Sequence, residues 1–287
     1  MNPRPVSMTL LMLAALLIPS AAACQSISLD WKNSPDRTWS GSQWNSNRLQ
    51  DWAVSDGQLR CINSRPRDPV RTTILLTADF DSSRGGFALA TEISAGWSDA
   101  REGSFGGILF GIGGQEIDHR IRSIVHDKPA ADGGILAVVH PDGRVGFRDF
   151  TTGGGGGSWS IGGPLEKGRG SLLPNQVQSG DGGQGPWILR LTQTQPLTNN
   201  PESATATRVL LTATQVKTGN LISSASLSDV SPAQLSGSFG LASHLGGTNN
   251  SEGWSFKKLQ ANGFGLVALP LAAAWAGPRV RLEPCAG

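Results

Sequence analysis

Apolar and polar residues alternate with a period of two along most of the chain beyond residue 57. This alternation is typical of strands that bury one face, and no segment shows the 3.6-residue period of an amphipathic helix. Short clusters of Gly, Pro, Asn and Asp separate the alternating segments. The pattern predicts strands over residues 58–61, 72–80, 86–95, 104–112, 119–126, 135–140, 145–150, 187–192, 208–216, 221–227, 237–243 and 254–260.

Two of the separating clusters predict tight hairpins. Residues 140–144, with the sequence HPDGR, place a proline with a preset φ before a glycine that accepts positive φ. Residues 218–220, with the sequence TGN, offer a similar turn between two strands. About a dozen strands joined by hairpins predict an all-β fold in which two antiparallel sheets pack face to face.

The composition agrees with a turn-rich all-β protein. The 287 residues include 38 Gly and no Tyr, and only 16% of them are charged. A net charge of +2, from 24 Lys and Arg against 22 Asp and Glu, argues against a nucleic-acid partner. The length accommodates one large sandwich, which we assign to residues 24–263. Within it, the Gly-rich residues 151–182 predict a mobile surface loop.

Residues 1–23 are predicted to be a signal peptide, because their apolar segment 9–18 is too short to span a bilayer. The small residues 20–23 precede Cys24, and two interpretations fit. Ordinary cleavage would leave Cys24 as a plain thiol. Alternatively, the junction resembles a bacterial lipoprotein signal, in which Cys24 is the lipidation site and Gln25 favours the outer membrane. The second interpretation is preferred, with membrane contact through the lipid anchor only. Both predict export to the cell envelope, as an outer-membrane lipoprotein or in the periplasm.

The remaining cysteines and the C-terminal tail leave alternatives open. If Cys24 carries lipid, Cys61 and Cys285 form either one disulfide or two unpaired thiols. Residues 264–287 are an atypical tail that begins with 14 uncharged residues, too few to cross a membrane. We expect either a last packed strand or the end of a truncated reading frame, and the second is the preferred interpretation.

Several short motifs resemble a known family. The order WAVSDGQL over residues 52–59 resembles the opening of concanavalin A-like jelly rolls, which include laminin-G-like modules. Residues 106–112 (GGILFGI), 131–135 (ADGGI) and 142–145 (DGRV) are similar to the β-sandwich module that precedes the catalytic domain of bacterial alkaline phosphatase D-like proteins. The resemblance implies a two-sheet antiparallel jelly-roll sandwich. In that family a metallophosphatase domain follows, whereas here 24 residues follow Gly263.

Candidate ligand-binding residues lie on one predicted strand and in two predicted loops. Alternation over residues 119–126 puts Arg120, Arg122 and His126 on one face, where they would suit an anionic or hydroxylated ligand. The alternative is an ordinary solvated face. Trp97 and Trp159 are predicted in loops, where an exposed ring could stack on a sugar or pack at an edge. Core positions are predicted for Trp52, Trp187 and Trp254.

The sequence supplies no set of catalytic or metal-binding residues. Calcium is the one cofactor that the jelly-roll resemblance implies, and carboxylates near turns would bind it. No D-x-D-x-D-G loop is present, however, and turn capping explains these carboxylates more simply. These carboxylates are Asp118, Asp127, Asp132 and Asp142. A glycosidase needs two converging carboxyl groups, and the E-x-D-x-x-E pattern is absent around Glu92, Glu102 and Glu116.

These observations together predict a non-catalytic extracytoplasmic module. It would serve in binding or assembly at the bacterial cell envelope, with a glycan or an anionic ligand as its partner. The alternative is a hydrolase that acts on glycan or phosphoester, or the remnant of an alkaline phosphatase D-like enzyme. No acid, base, nucleophile and metal converge in the sequence, which disfavours the alternative.

Overall fold

The computed structural model describes residues 23–63, 70–95, 104–112, 133–149, 171–172, 185–194, 207–245, 252–269 and 282–285. These residues form seventeen strands and one short α-helix. The elements are β1 (Gln25–Asp30), β2 (Trp44–Ser46), β3 (Trp52–Ser55), β4 (Gln58–Cys61), β5 (Arg71–Phe80), β6 (Phe87–Ala95), β7 (Phe105–Ile112), β8 (Gly133–Val139), β9 (Val145–Asp149), β10 (Ser171–Leu172), β11 (Trp187–Thr194), β12 (Thr207–Gln215), β13 (Leu221–Val230), α1 (Pro232–Leu235), β14 (Gly237–His244), β15 (Trp254–Gly263), β16 (Leu266–Ala268) and β17 (Glu283–Pro284).

The strands make two antiparallel sheets. Sheet A has the order β10-β13-β12-β11-β6-β15-β1-β17, and the β3–β4 hairpin joins it where β4 pairs with β15. Sheet B has the order β16-β5-β14-β7-β8-β9, with β2 added alongside β5. Consecutive strands such as β6 and β7 belong to different sheets, so the chain crosses repeatedly between the two layers.

The predicted strands agree closely with the observed ones. Eleven of the twelve predicted segments coincide with described strands, and their ends differ by at most three residues. The twelfth, residues 119–126, lies outside the described residues. The prediction missed β1, β2, β3, β10, β16 and β17, most of which are too short to show an alternation. Of the Gly-rich loop, only β10 is described, and it pairs with β13.

Turn chemistry explains the hairpins. In the β8–β9 turn, Gly143 has φ +83°, and the Asp142 carboxylate accepts a hydrogen bond from the Arg144 backbone N–H at 3.1 Å. The β3–β4 turn contains Asp56 at φ +51° and Gly57 at φ +69°. Two successive positive φ values match the twist of an antiparallel hairpin, which is why Asp-Gly is favoured there.

Large aromatic side chains fill the space between the sheets. Trp52, Trp187 and Trp254 are all at most 1% exposed, which confirms their predicted core positions. The Trp187 and Trp254 ring centroids lie 5.9 Å apart, and Trp254 lies so close to Gly106 that a Cβ on this glycine would be 2.5 Å from the ring. The sandwich therefore depends on small residues opposite its largest ones.

The cysteine pairing differs from the one that the sequence offered. Cys24 and Cys285 form a disulfide, whereas Cys61 is free and buried. Burial raises the pKa of the Cys61 thiol to about 12, although a hydrogen bond with Ser243 acts in the opposite direction. A disulfide between Cys61 and Cys285 is therefore wrong for this structure. The Cys24 sulfur cannot be both disulfide-bonded and acylated, so acylation would require a different state of this residue.

Two stretches of the tail are strands of the sandwich. Leu266 is 2% exposed and belongs to β16, which pairs with β5 in sheet B. Near the C-terminus, β17 pairs with β1 in sheet A. The sandwich therefore extends beyond residue 263, the boundary that the sequence predicted.

A buried ion pair joins the start of β3 to the start of β5. Asp51 and Arg71 are both 0% exposed, and Arg71 Nε lies 2.5 Å from the Asp51 carboxylate. Asn63 donates to the other carboxylate oxygen at 2.9 Å, and Arg48 lies 3.1 Å away. A buried charge is stable only when it is paired and hydrogen-bonded in this way.

We expect Asp51→Asn to lower the free energy of unfolding by about 3–5 kcal/mol, because Arg71 would keep a buried charge without its counter-ion. The matched control is Asp56→Asn, which breaks an Asp56–Arg60 pair whose side chains are 72% and 38% exposed. The control should cost less than about 1 kcal/mol, since asparagine tolerates positive φ and an exposed pair contributes little. Urea denaturation measures both losses. Equal losses would show that the buried pair contributes no more than an exposed one.

Candidate functional site

The residues predicted to bind ligand fall outside the described part of the chain. This applies to Trp97, Trp159, Arg120, Arg122 and His126, and to the calcium candidates Asp118, Asp127 and Asp132. Their assignments therefore remain predictions. Of the predicted site residues, the described ones are Cys24, Asp142 and Glu92.

The strand ends that flank these predicted residues lie at opposite ends of the sandwich. Residues 96–103 lie between Ala95 and Ser104, at the end where Ala95 pairs with Trp254. Residues 113–132 lie between Ile112 and Gly133, which pair with each other at the other end of β7. The segment that contains Trp97 and the segment that contains Arg120, Arg122 and His126 therefore leave the described strands at opposite ends of the sandwich.

The two sheets have different outer faces. On sheet A, the outward residues of one cross-strand row are Ser224, Thr212, Arg190, Ala90, Gln260 and Ser28. Arg190, Gln260 and Ser28 are exposed. On sheet B, the face turned away from the core is apolar and buried, with a cluster of Val70, Ile74, Phe105, Leu109, Ile112, Leu136, Val138 and Ala242. Sheet A therefore presents a polar outer face, and sheet B presents an apolar one.

Two histidines flank Phe105 at one end of the outer face of sheet B. The ring of His244, which is 2% exposed, stacks on Phe105 with centroids 5.0 Å apart. The ring of His140 meets Phe105 edge-on at 6.3 Å. His140 Nδ1 lies 3.1 Å from the Ser104 carbonyl, and because a carbonyl can only accept, Nδ1 carries the proton. Sequence alternation had placed both histidines near strand ends but gave no sign that they share one phenyl ring.

Burial lowers the pKa of His140 below its ordinary value. Asp142 acts in the opposite direction, and Arg144 acts in the same direction as burial. A neutral imidazole donates to Ser104 and holds the start of β7 against the β8–β9 hairpin. The described contacts of this cluster therefore hold neighbouring strands together.

The described carboxylates among the candidates have partners. Asp142 Oδ2 accepts from Arg144 Nε at 2.6 Å, as expected for a turn residue and not for a metal ligand. Glu92 lies on the outer face of sheet A and pairs with Lys257 at 2.9 Å. Within the described ranges no three His, Cys, Asp or Glu side chains group closely enough to hold a metal ion. Calcium therefore finds no fitting site among these described residues.

Solved structures share this architecture. The VIP36 exoplasmic/lumenal domain in its Ca2+/Man3GlcNAc-bound form aligns with a TM-score of 0.50 at 9% identity, over 82% of this chain and 87% of that one. Lectin I from Ulex europaeus, in complex with the methyl glycoside of α-L-fucose, has a TM-score of 0.47 at 9% identity, over 83% and 98%. Lectin II from Ulex europaeus has a TM-score of 0.46 at 12% identity, over 83% and 97%. No protein-family model and no curated protein matches the sequence.

The fold is a concanavalin A-like β-sandwich. This confirms the predicted all-β class with two antiparallel sheets. At such low identity the likeness concerns the fold alone. The narrower resemblance to alkaline phosphatase D-like proteins gains no support from these neighbours. In the described ranges no helix is long and apolar enough to cross a membrane.

We expect acid to destabilise the protein partly through His140. The unfolded chain binds a proton near the ordinary histidine pKa of about 6.5, whereas the folded chain binds it only at lower pH. This contribution is fully present above about pH 6.5 and is lost as the pH falls from there toward the folded pKa. His140→Asn keeps an N–H donor near Ser104 and removes the titration. Urea denaturation at about pH 7.5 and 5.5 should show a smaller acid loss in the variant. Identical losses in the variant and the parent chain would contradict the assignment.

Proposed function

We propose that this chain is a non-catalytic extracytoplasmic module that binds a glycan or an anionic ligand at the bacterial cell envelope. The observation that carries the proposal is the likeness of its fold to the VIP36 domain, which was solved with Ca2+ and Man3GlcNAc bound. The described strands of the two-layer core end beside residues 96–103 and 113–132, the segments that contain Trp97, Arg120, Arg122 and His126. Loops on a rigid scaffold are where binding residues concentrate.

The proposed ligand contacts are those that the sequence identified. Trp97 and Trp159 would stack on sugar rings, because an indole presents a broad apolar face to the C–H face of a sugar. Arg120, Arg122 and His126 would hold a carboxylate, sulfate or phosphate group on the ligand. Calcium enters the proposal only through Asp118, Asp127 and Asp132, since Asp142 is already engaged by Arg144.

Export forms part of the proposal. The predicted signal peptide is one argument, and the disulfide between Cys24 and Cys285 is another. Disulfides persist in oxidising compartments and are rare where thiols are kept reduced. Anchoring by an acylated Cys24 remains the alternative to a disulfide-closed protein free in the periplasm.

Binding to an array of neutral and acidic glycans and polyanions tests the proposal. Trp97→Ala should weaken binding to the best glycan about tenfold, because it removes a stacking surface. Arg120→Ala should weaken binding to an acidic ligand about tenfold or more, because it removes a charge-assisted hydrogen bond.

The chain offers matched controls. Trp39 is 37% exposed and Arg190 lies on the outer face of sheet A, so Trp39→Ala and Arg190→Ala remove the same side-chain types elsewhere. Both controls should leave binding unchanged. A folded protein that binds nothing on the array, or equal losses in the variants and their controls, would reject the proposed contacts.

The proposal also predicts that the purified mature chain hydrolyses no phosphoester. Useful rates require metal ions and a positioned nucleophile, and three of the described carboxylates, Asp51, Glu92 and Asp142, are each held by a basic partner. Assays with p-nitrophenyl phosphate and its diester, with calcium, iron, zinc or magnesium added, should match the protein-free rate. Metal-dependent turnover that survives repurification and disappears in Asp118→Asn or His126→Ala would favour the hydrolase instead.

A further inference from the structure

Among the described residues, the C-terminal strap, residues 282–285, makes few non-covalent contacts with the sandwich. Its strand β17 pairs with β1 through two residue pairs, Gln25 with Pro284 and Ser26 with Glu283. The Ser26 hydroxyl donates to the Glu283 carbonyl at 3.2 Å, and the Cys285 N–H donates to the Cys24 carbonyl at 3.2 Å. Both Glu283 and Pro284 are exposed. Leu282 alone in the strap packs against the core, and it is only partly buried.

The strand beneath the strap is held much more firmly. All six residues of β1 pair with β15, and Ile27 is 4% exposed in the core. A strand with a full ladder and a buried side chain stays in place without the strap. A two-residue strand with exposed side chains does not recover the conformational entropy that its ordering costs. Within the described part of the chain, the covalent bond from Cys24 to Cys285 is therefore the main attachment of the strap.

The strap changes the chemistry of the sheet edge. With β17 in place, sheet A ends in Glu283, which is charged, and Pro284, which has no N–H to donate. Both features discourage another strand from adding to an edge. Without β17, the edge there consists of Gln25 and Ser26, which are uncharged and carry backbone N–H groups. The strap thus covers an otherwise competent edge.

We propose that the Cys24–Cys285 disulfide is a redox-sensitive clasp that keeps the strap on the edge of sheet A, so that reduction releases β17 and uncovers the Gln25–Ser26 end of β1. In the opening step a dithiol reductant gives two electrons and two protons to the sulfur–sulfur bond. Cys24 and Cys285 become thiols, and the dithiol becomes a disulfide. Both cysteines are only partly buried, so a small dithiol can reach them.

Thiol counting first establishes the closed form. The chain has three cysteines, and with Cys24 bonded to Cys285 only Cys61 is left to alkylate. Denatured but unreduced protein should therefore take up one iodoacetamide, and reduced protein should take up three. An acyl-glyceryl mass on Cys24, or two alkylations without reduction, would overturn the clasp and favour the lipid-anchored form.

Hydrogen exchange with and without dithiothreitol then tests the opening. Reduction should speed amide exchange at least about tenfold in residues 283 and 285 and at Ser26, because local opening then costs little free energy. Exchange in β6 and β15 should not change. Protection of the strap after reduction would overturn the proposal. An increase spread through β6 and β15 would also overturn it, since the bond would then stabilise the whole sandwich.

Two variants reproduce the open form without reductant. Cys285→Ser and Cys24→Ser should each show the exchange pattern of the reduced protein. Adding dithiothreitol to Cys285→Ser is the matched control, and it should cause no further change. A strap that stays protected in both variants contradicts a clasp. If either variant fails to accumulate, the reduced parent chain still decides the outcome.

Discussion

Packing of tryptophan against glycine between the two sheets sets the geometry on which the other features depend. A Cβ on Gly106 of sheet B would lie 2.5 Å from the ring of Trp254 in sheet A. Protein interiors are packed about as densely as organic crystals. A tryptophan ring therefore fits here only because the residue opposite it has no side chain. This contact sets the separation of the sheets at the end of the sandwich that also holds the ion pair of Asp51 with Arg71, since Ser243 pairs with both Gly106 and Arg71. The strand ends that carry the surrounding loops are positioned by the same core.

The difference between the outer faces follows from how the strands alternate. In sheet A, strands such as β12 have a buried position at every second residue and partly or fully exposed positions between them. In sheet B, all eight positions of β7 and all eight of β14 are buried. Strands buried on both faces read as continuous apolar runs, which explains the unbroken Ile108-Leu109-Phe110 segment. Along β7 and β14, the outer face of sheet B is thus as buried as its inner face.

Local features of the sequence predicted the strands well, because alternation and turn chemistry act over a few residues. The β8–β9 and β12–β13 hairpins both occur where a glycine follows turn-forming residues. Features that depend on the whole fold were not predictable in this way. Cys24 meets Cys285 only because β1 lies on the edge of sheet A and β17 returns to it, and no short-range pattern encodes that return. Phe105 likewise joins two histidines that are 104 residues apart in the sequence (244 − 140). For the ligand-binding residues, the side-chain types in the sequence indicated candidates. The described strands show only which strand ends flank these candidates.

The clasp also has a topological consequence. The Cα atoms of Cys24 and Cys285 lie 5.4 Å apart, although 261 positions separate them in the sequence. Neighbouring residues in any chain are about 3.8 Å apart, so the sandwich is nearly a closed ring. In such a ring the order of the strands is cyclic. The packing of the strands therefore does not determine in which turn the N- and C-termini lie. Joining residue 24 to residue 285 by a short peptide and opening the chain in another surface turn would preserve every strand pair between them. A longer polypeptide could also enter and leave this domain at a single point, as a loop does on the surface of a host protein.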